Sequence, residues 1–238
     1  FDKAILLFNE SIKKFPNSIE AYSNLASVLV FKGRIDTAKK ILIKAIELNP
    51  NYLKSYGSLA GIYVGEGDFG EAELLLRKSI EKNPNDINTL VNLACVLKDL
   101  GKIKEAEKFL RNALEINPTY EKVLTNLGAV LNELEKTDEG ERYLRKALNI
   151  NPASIMALNN LGNILSKKNN YNEAELCYRK AIDIKSDFSL AYNNLATLLT
   201  RIGKLSEAEE FTEKAILYNP KFELAYVCLL YTSDAADE

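Results

Sequence analysis

The sequence of 238 residues contains no histidine and no tryptophan, one methionine and three cysteines. Without histidine, the chain lacks the side chain that proteins use most often for proton transfer at neutral pH and for binding transition metals. The cysteines, Cys95, Cys177 and Cys228, form no CxxC pair and have no spacing typical of a disulfide framework. We therefore predict a protein that is not an enzyme, holds no metal or other cofactor, and resides in the reducing cytoplasm.

The chain also lacks an excess of charge of either sign, with 31 basic and 33 acidic residues. Nucleic acids and anionic membranes bind clustered positive charge, so neither is predicted as a partner. No apolar run is long enough to cross a bilayer, and no GxxxxGK loop is present to hold the phosphates of a small-molecule substrate. Acidic clusters such as Glu207, Glu209 and Glu210 fit the solvated face of a helix better than a catalytic pair.

Prolines are few, but they recur at a fixed interval of 34 residues. They stand at positions 16, 50, 84, 118, 152 and 220, and Ser186 occupies the one position in this series that has no proline. A period of this length is typical of repeat proteins, in which each unit buries its apolar face against its neighbours. The sequence therefore predicts an array.

Other columns of the repeat hold side chains of constant size. One column is leucine throughout, namely Leu25, Leu59, Leu93, Leu127, Leu161 and Leu195. The next column is always small, namely Ala26, Ala60, Ala94, Gly128, Gly162 and Ala196, and so are two columns further along the repeat, those of Ala38 and Ala45. Small side chains at fixed points let two helices approach closely, and apolar residues three and four apart, as in Tyr56, Leu59 and Tyr63, indicate amphipathic helices. Each repeat is therefore predicted to be a helical hairpin.

The turn of each hairpin is marked by a column in which glycine predominates. Four of these residues are glycines, Gly33, Gly67, Gly101 and Gly203, and Glu135 and Asn169 stand in the same column. Glycine adopts positive φ at little cost. Asn-Pro pairs, such as Asn49-Pro50, end the second helix, because a residue that precedes proline avoids the helical conformation.

With its 34-residue period, Leu-small pairs, small columns and terminal prolines, the chain resembles the tetratricopeptide repeat family. The resemblance implies an all-α solenoid of antiparallel helix pairs that forms a right-handed superhelix. It covers nearly the whole chain. The tryptophan that is common at the fourth position of that family is replaced here by Tyr22, Tyr56, Leu90, Leu124, Leu158 and Tyr192.

The period also predicts the repeat boundaries. Residues 1–18 hold the second helix of a truncated repeat, and the six complete units are 19–52, 53–86, 87–120, 121–154, 155–188 and 189–222. Residues 223–227 begin a seventh repeat. Residues 228–238 resemble a translated sequencing adaptor, and the repeat pattern stops at position 228, so we interpret them as a non-native tail.

An unusual column lies directly before the column of leucines. It contains Asn24, Asn92, Asn126, Asn160 and Asn194, with Ser58 as the exception, and we call these five residues the asparagine ladder. Asparagine inside a helix is less favourable than alanine by roughly half a kcal/mol, so five in register require an explanation. A carboxamide can bond both the N–H and the C=O of an extended peptide. The ladder therefore predicts a peptide-binding groove, with Asn159, Asn163 and Asn193 as secondary contacts.

This column resembles the asparagine ladder in the repeat domain of O-linked N-acetylglucosamine transferases, which holds substrate polypeptides. The resemblance implies a protein or peptide ligand, and the chain is interpreted first as a protein–protein interaction scaffold. Two alternatives stay open, a substrate-recognition arm of a larger glycosyltransferase or other transferase, and a purely architectural scaffold in which the amides bridge adjoining repeats. The lysine-asparagine-arginine clamp by which some family members bind chaperone C-termini is absent.

Overall fold

A computed structural model of the chain describes residues 1–221 and Tyr226, and the predictions for the seventh repeat and for the tail otherwise lie outside the described residues. The described part contains thirteen α-helices and no strand. The helices are α1 (Asp2–Lys14), α2 (Ile19–Phe31), α3 (Ile35–Leu48), α4 (Leu53–Glu66), α5 (Phe69–Lys82), α6 (Ile87–Asp99), α7 (Ile103–Ile116), α8 (Glu121–Glu133), α9 (Thr137–Ile150), α10 (Ile155–Lys167), α11 (Tyr171–Ile184), α12 (Ser189–Arg201) and α13 (Leu205–Tyr218).

The helices form two compact units, which we call unit 1 (Phe1–Pro118) and unit 2 (from Thr119 onwards). Unit 1 contains the hairpins α2/α3, α4/α5 and α6/α7, preceded by α1, and unit 2 contains α8/α9, α10/α11 and α12/α13. In each unit the two helices of a hairpin pack together, and the first helices of neighbouring hairpins also contact each other. The prediction of an all-α solenoid of paired helices is confirmed.

The core of both units is built from the leucine column and the small columns. All six column leucines are buried, and the small residues that follow them are buried as well. The approach is closest in unit 2, where a Cβ atom added to Gly162 would lie 2.5 Å from Cε1 of Tyr178, and one added to Gly128 would lie 2.5 Å from Cγ of Leu144. These glycines are therefore required by packing, since even a methyl group would overlap its neighbour.

The turns within the hairpins adopt the left-handed conformation that the sequence predicts. The four turn glycines have φ between 71° and 82°, while Glu135 and Asn169 have φ of 58° and 61°. Unit 1 thus uses glycine in all three of its turns, and unit 2 uses a residue with a side chain in two. Left-handed φ costs a residue with a Cβ atom about 1–2 kcal/mol, although asparagine tolerates it better than most.

Ion pairs join the second helices of neighbouring hairpins on the outside of each unit. In unit 2, Arg145 contacts Glu141 at 2.9 Å and Glu173 at 2.8 Å. Lys168 donates to Glu141 at 2.8 Å, and this bond, with the contribution of Arg145, holds the pKa of the Glu141 carboxyl below its usual value. Charged side chains on this side therefore link neighbouring hairpins.

Candidate peptide-binding face

The candidate site lies on the first helices of the hairpins, at positions that leave the core. We call these positions the first-helix face of each unit: it is carried by α2, α4 and α6 in unit 1 and by α8, α10 and α12 in unit 2. Because neighbouring first helices contact each other in each unit, side chains in one column stand side by side on adjacent helices. A ligand that lies across the face can therefore contact several hairpins of the same unit.

Every ladder residue is positioned on this face by the buried leucine that follows it. In unit 1, Asn24 is exposed and Asn92 is half-buried, with the half-buried Ser58 between them in the column. In unit 2, Asn126, Asn160 and Asn194 are half-buried. The structure thus brings three of the predicted residues together on adjacent helices in unit 2.

Two of the five ladder amides are already engaged within the protein. The Nδ2 group of Asn194 donates to Oδ1 of Asn159 in the preceding hairpin at 2.9 Å, and that of Asn126 donates to the backbone oxygen of Lys122 at 2.8 Å. The side chains of Asn24, Asn92 and Asn160 make no hydrogen bond with any described residue. Their carboxamides are exposed or half-buried and can bond to a ligand.

The three residues predicted as secondary contacts, Asn159, Asn163 and Asn193, differ in burial. Asn159 and Asn193 are buried, with exposed fractions of 1% and 6%. Each keeps one polar atom without a partner among the described residues, Nδ2 of Asn159 and Oδ1 of Asn193. Asn163 alone reaches the surface, where its Oδ1 accepts a hydrogen bond from the hydroxyl of Tyr178 at 2.8 Å.

In unit 1 the first-helix face contains a large apolar cavity that the sequence analysis did not single out. It measures about 460 Å³ and lies between α2 and α4, with Val30 and Ile62 among its walls. Gly61 and Gly65 also line it, and a Cβ atom added to either would meet no atom within 4 Å. The signal in the sequence is the glycine spacing of four residues in α4, which removes side chains from one side of the helix.

A second cavity of about 210 Å³ lies between α4 and α6, and Gly61 lines this cavity as well. Gly57, Asn92 and Cys95 are among the residues that line it. The ladder residue Asn92 therefore stands at the edge of a depression and not on a flat surface, so that a bound chain can approach its amide closely.

In unit 2 the corresponding face carries a smaller and more polar pocket of about 140 Å³. It is lined by Asn163, Ser166, Lys167, Tyr178, Asn194, Thr197, Leu198 and Arg201. The pocket combines amides, hydroxyls and two cationic side chains, whereas the cavities of unit 1 are mostly apolar.

Other kinds of site find little support among the described residues. Burial raises the pKa of the Cys177 thiol to about 11, which leaves it protonated at neutral pH and unsuited to nucleophilic attack. Within residues 1–221 and Tyr226, no group of three or more Asp, Glu, Cys or His side chains is arranged to hold a metal ion. The helices of this part of the chain are too short or too polar to cross a membrane.

Solved structures with related folds include two that align with nearly all of the chain. A chain of the APC/C hetero-tetramer Cut9-Hcn1 is similar with a TM-score of 0.84 and 15% identity, over 97% of this chain and 45% of that one. PilF of Pseudomonas aeruginosa has a TM-score of 0.71 and 20% identity over 92% of this chain and 97% of its own. At these identities the likeness concerns the fold.

A third structure is YrrB, described as a TPR protein with an unusual peptide-binding site. It is 25% identical with a TM-score of 0.57, over 77% of this chain and 95% of its own. The chain spans less than half of the Cut9-Hcn1 chain but nearly all of the lengths of PilF and YrrB. No curated protein matches it in sequence.

Sequence models of one family match most of the chain. Four models described as tetratricopeptide repeat match residues 19–52, 63–129, 120–187 and 177–210. Together they span the hairpins of both units, with the paired helices, the small columns and the left-handed turns described above. The chain therefore belongs to the tetratricopeptide repeat family.

Proposed function

We propose that this protein is an interaction scaffold whose first-helix faces bind an extended segment of another polypeptide, with the ladder amides as contacts to its backbone. The observation that carries the proposal is that Asn24, Asn92 and Asn160 stand in one repeat column without a hydrogen-bond partner among the described residues. Polar groups of this kind, placed in a helix at a cost in helix propensity, are explained by a ligand that uses them.

The geometry of the ladder suits an extended peptide. Packed helices lie about 8–10 Å apart, and an extended chain advances about 3.3 Å per residue. Column positions on adjacent first helices would therefore meet every third residue of the ligand, and Asn24 and Asn92, which lie two first helices apart, would meet residues about five or six apart. Because a carboxamide offers a donor and an acceptor, it can satisfy an N–H and a C=O of the same peptide unit.

The coarser part of the proposal, a protein partner, is supported by the family. YrrB is described as having a peptide-binding site, and the Cut9-Hcn1 chain belongs to an assembly of several proteins. Recognition through the backbone places few demands on the side chains of the ligand, which suits a scaffold with more than one client.

The proposal is tested with the full chain and a variant in which Asn24, Asn92 and Asn160 are all replaced by alanine. Peptides selected from a random 12-residue library on the wild-type chain are measured against both proteins by fluorescence anisotropy. A peptide on unit 1 loses the two hydrogen bonds of Asn24 and Asn92, each contributing about 0.5–1.5 kcal/mol, so its affinity should weaken by about fivefold or more. A peptide on unit 2 loses only the hydrogen bond of Asn160. N-methylation of the selected peptide at two residues about five or six apart should have a similar effect, since it removes the backbone donors that face these amides.

The matched control replaces Asn112, Asn149 and Asn172, three exposed asparagines on second helices. This variant has the same composition as the ladder variant but leaves the first-helix faces intact. Equal affinity of the wild type and the ladder variant would contradict the proposal and favour the architectural interpretation. The bonds that Asn126 and Asn194 make inside the protein are the observation that favours this interpretation for part of the column.

A further inference from the structure

The apolar cavity of unit 1 exists because one side of α4 carries no side chains. Gly57, Gly61 and Gly65 follow each other at intervals of four residues and therefore lie on the same side of the helix. No other described first helix has glycine in the columns of Gly61 and Gly65, and in unit 2 these columns hold Asn163 and Lys167. Glycine destabilises the interior of a helix relative to alanine, so the three glycines of α4 require an explanation other than helix stability.

The cavity beside these glycines is large and has mostly apolar walls. It measures about 460 Å³ and is lined by Val30 of α2, by Ile62 of α4 and, from the second helix of the first hairpin, by Ile35 and Leu42. An apolar cavity of roughly 150 Å³ is large enough to take up benzene. The cavity of unit 1 therefore has room for an aromatic ring or a branched aliphatic side chain.

The cavity offers no unpaired charge to a ligand. Glu66 is the one charged residue among its described walls, and both of its carboxylate oxygens accept hydrogen bonds from Nζ of Lys39, at 2.9 and 3.0 Å. The hydroxyl of Ser27 donates to the backbone oxygen of Ser23 at 3.0 Å. A charged group that entered the cavity would lose its hydration without gaining a partner, whereas an apolar group would remove apolar wall area from water.

The position of the cavity relative to the asparagine ladder indicates what enters it. Ser58 lines the cavity and stands in the ladder column between Asn24 of α2 and Asn92 of α6. The side chains of Asn24 and Asn92 have no partner among the described residues, and a carboxamide suits the N–H and C=O of a peptide backbone. An extended chain held by both amides crosses α4 at Ser58, and its side chains point alternately to opposite sides. The side chains that point towards unit 1 in this stretch therefore meet the cavity.

We propose that this cavity is a specificity pocket for one large apolar side chain, aromatic or branched aliphatic, of the polypeptide that the ladder holds. The inference rests on the proposed function and deepens it, because it names the class of segment that unit 1 recognises. Neighbouring helices lie about 8–10 Å apart and an extended chain advances about 3.3 Å per residue. The cavity lies between α2 and α4, so the apolar residue stands one or two positions from the residue at Asn24.

The first test uses the full chain with ¹³C-labelled methyl groups and three capped amino acids as probes. N-acetyl-phenylalanine N-methylamide and N-acetyl-leucine N-methylamide carry the proposed side chains, and N-acetyl-glutamine N-methylamide carries a polar one. We expect the two apolar probes to shift the methyl signals of Val30 and Ile62 but not that of Ile164, a core residue of unit 2, and the glutamine probe to shift none. Shifts of Val30 and Ile62 on dilution of the chain without a probe would show a second copy in the cavity and overturn the inference.

The second test uses library peptides whose affinity is weakened by Asn24→Ala with Asn92→Ala. Each residue of such a peptide is replaced by alanine in turn, and binding is measured by fluorescence anisotropy. We expect one large apolar residue whose replacement weakens binding about tenfold or more, since burial of its side chain is lost. The same replacement should have little effect on binding to a variant in which the cavity is filled.

Gly65→Leu fills the cavity and has a matched control. A Cβ atom at position 65 would meet no atom within 4 Å, so the variant is expected to fold, which circular dichroism and urea denaturation check. The control is Gly70→Leu, the same change at an exposed glycine of α5, where a Cβ atom would lie in ordinary contact with Oδ1 of Asp68 at 3.8 Å. Gly65→Leu should weaken binding of the peptides and of both apolar probes about tenfold or more, and Gly70→Leu should leave it unchanged.

Equal shifts with the glutamine probe, or equal affinity of the wild type and Gly65→Leu for peptides and probes, would overturn the inference. Its failure is distinguishable from failure of the proposed function. If peptides bind through Asn24 and Asn92 without any apolar residue that matters, only the specificity pocket is wrong. If the apolar probes bind but no library peptide does, the cavity accepts free apolar molecules, and the result contradicts the proposed function as well as the inference.

Discussion

The first-helix faces of the two units differ in chemistry although the same repeat pattern builds both. The columns that hold Gly61 and Gly65 in unit 1 hold Asn163 and Lys167 in unit 2. The glycines leave an apolar cavity of about 460 Å³, and the polar residues leave a pocket of about 140 Å³. Packing restricts only the columns that face the core, so the exposed columns are free to set what each unit can bind.

The difference extends into the core in a coordinated way. The columns that hold Ala60 and Leu76 in unit 1 hold Gly162 and Tyr178 in unit 2. One methyl group is lost where one larger ring is gained, so that the space between the helices stays filled. The identity of a core pair can therefore change the exposed face, since the tyrosine hydroxyl reaches Asn163.

The largest predicted effect on stability comes from replacing Gly162 of unit 2 by alanine, the residue that unit 1 carries at the equivalent position 60. Gly162→Ala puts a methyl group 2.5 Å from the ring of Tyr178 and should lower the free energy of unfolding by about 1–3 kcal/mol. Gly61→Ala in unit 1 meets no atom within 4 Å and should raise it by about 0.5–1 kcal/mol, because alanine favours a helix. Urea denaturation followed by circular dichroism measures both.

The double variant Gly162→Ala/Tyr178→Leu provides the control for this prediction. It recreates in unit 2 the pair that unit 1 carries, and should recover most of the stability that Gly162→Ala alone loses. Additive losses in this double-mutant cycle would show that the two residues do not depend on each other.

The sequence predicted the fold well because the period repeats each packing constraint. Leu59 and Ala60 are recognisable as core residues only because the same pair recurs at 34-residue intervals. The turn column was predicted from the conformational freedom of glycine, and the positive φ of Glu135 and Asn169 confirms that the column, rather than the residue type, fixes the conformation. Backbone requirements of this kind leave a local trace in the sequence.

The side-chain hydrogen bonds of the candidate site could not be predicted from the repeat columns in the same way. Asn160 and Asn194 occupy the same column, yet Asn194 donates to a neighbouring amide and Asn160 has no partner among the described residues. Which amide is engaged depends on side-chain rotamers and on the neighbour in the adjoining hairpin, here Asn159. The bond between Tyr178 and Asn163 likewise joins two helices through one hydroxyl, and a column alignment does not show it.

A second prediction concerns the buried amides that only unit 2 contains. The column of Val91 in unit 1, which is fully buried, holds Asn159 and Asn193 in unit 2. Asn193→Val removes a buried oxygen that has no partner among the described residues, and should raise the free energy of unfolding by about 1 kcal/mol. Asn159→Val should raise the free energy of unfolding by less, because it also removes the acceptor for the Asn194 side chain. Urea midpoints compare the two, and a larger gain from Asn159→Val would contradict this account.

A third prediction exchanges the turn residues of the two units. Glu135→Gly should raise the free energy of unfolding by about 1 kcal/mol, because glycine adopts φ near 58° without the strain of a Cβ atom. Gly67→Ala, at φ of 82° in unit 1, should lower it by a similar amount. Thermal unfolding by calorimetry measures both changes. Asn169→Gly should gain less than Glu135→Gly, and the reverse order would mean that side-chain contacts, and not φ, decide the stability of the turn.

The smallest predicted effect concerns a feature that both units share, the ion pairs of the second helices. The pKa of Glu141 is lowered chiefly by the bond from Lys168, and that of Glu73 by the bond from Lys102. A carboxyl whose pKa is lower in the folded chain contributes stability above its unfolded value of about 4.3 and loses that stability as the pH falls through the folded value. Glu141→Gln and Glu73→Gln should therefore each lower the free energy of unfolding at pH 7 by about 0.5 kcal/mol and flatten its decline in acid. Urea titrations between pH 3 and 7 measure this decline for both variants. If only one of the two substitutions changed the pH dependence of the free energy of unfolding, the ion pairs of the two units would not be equivalent.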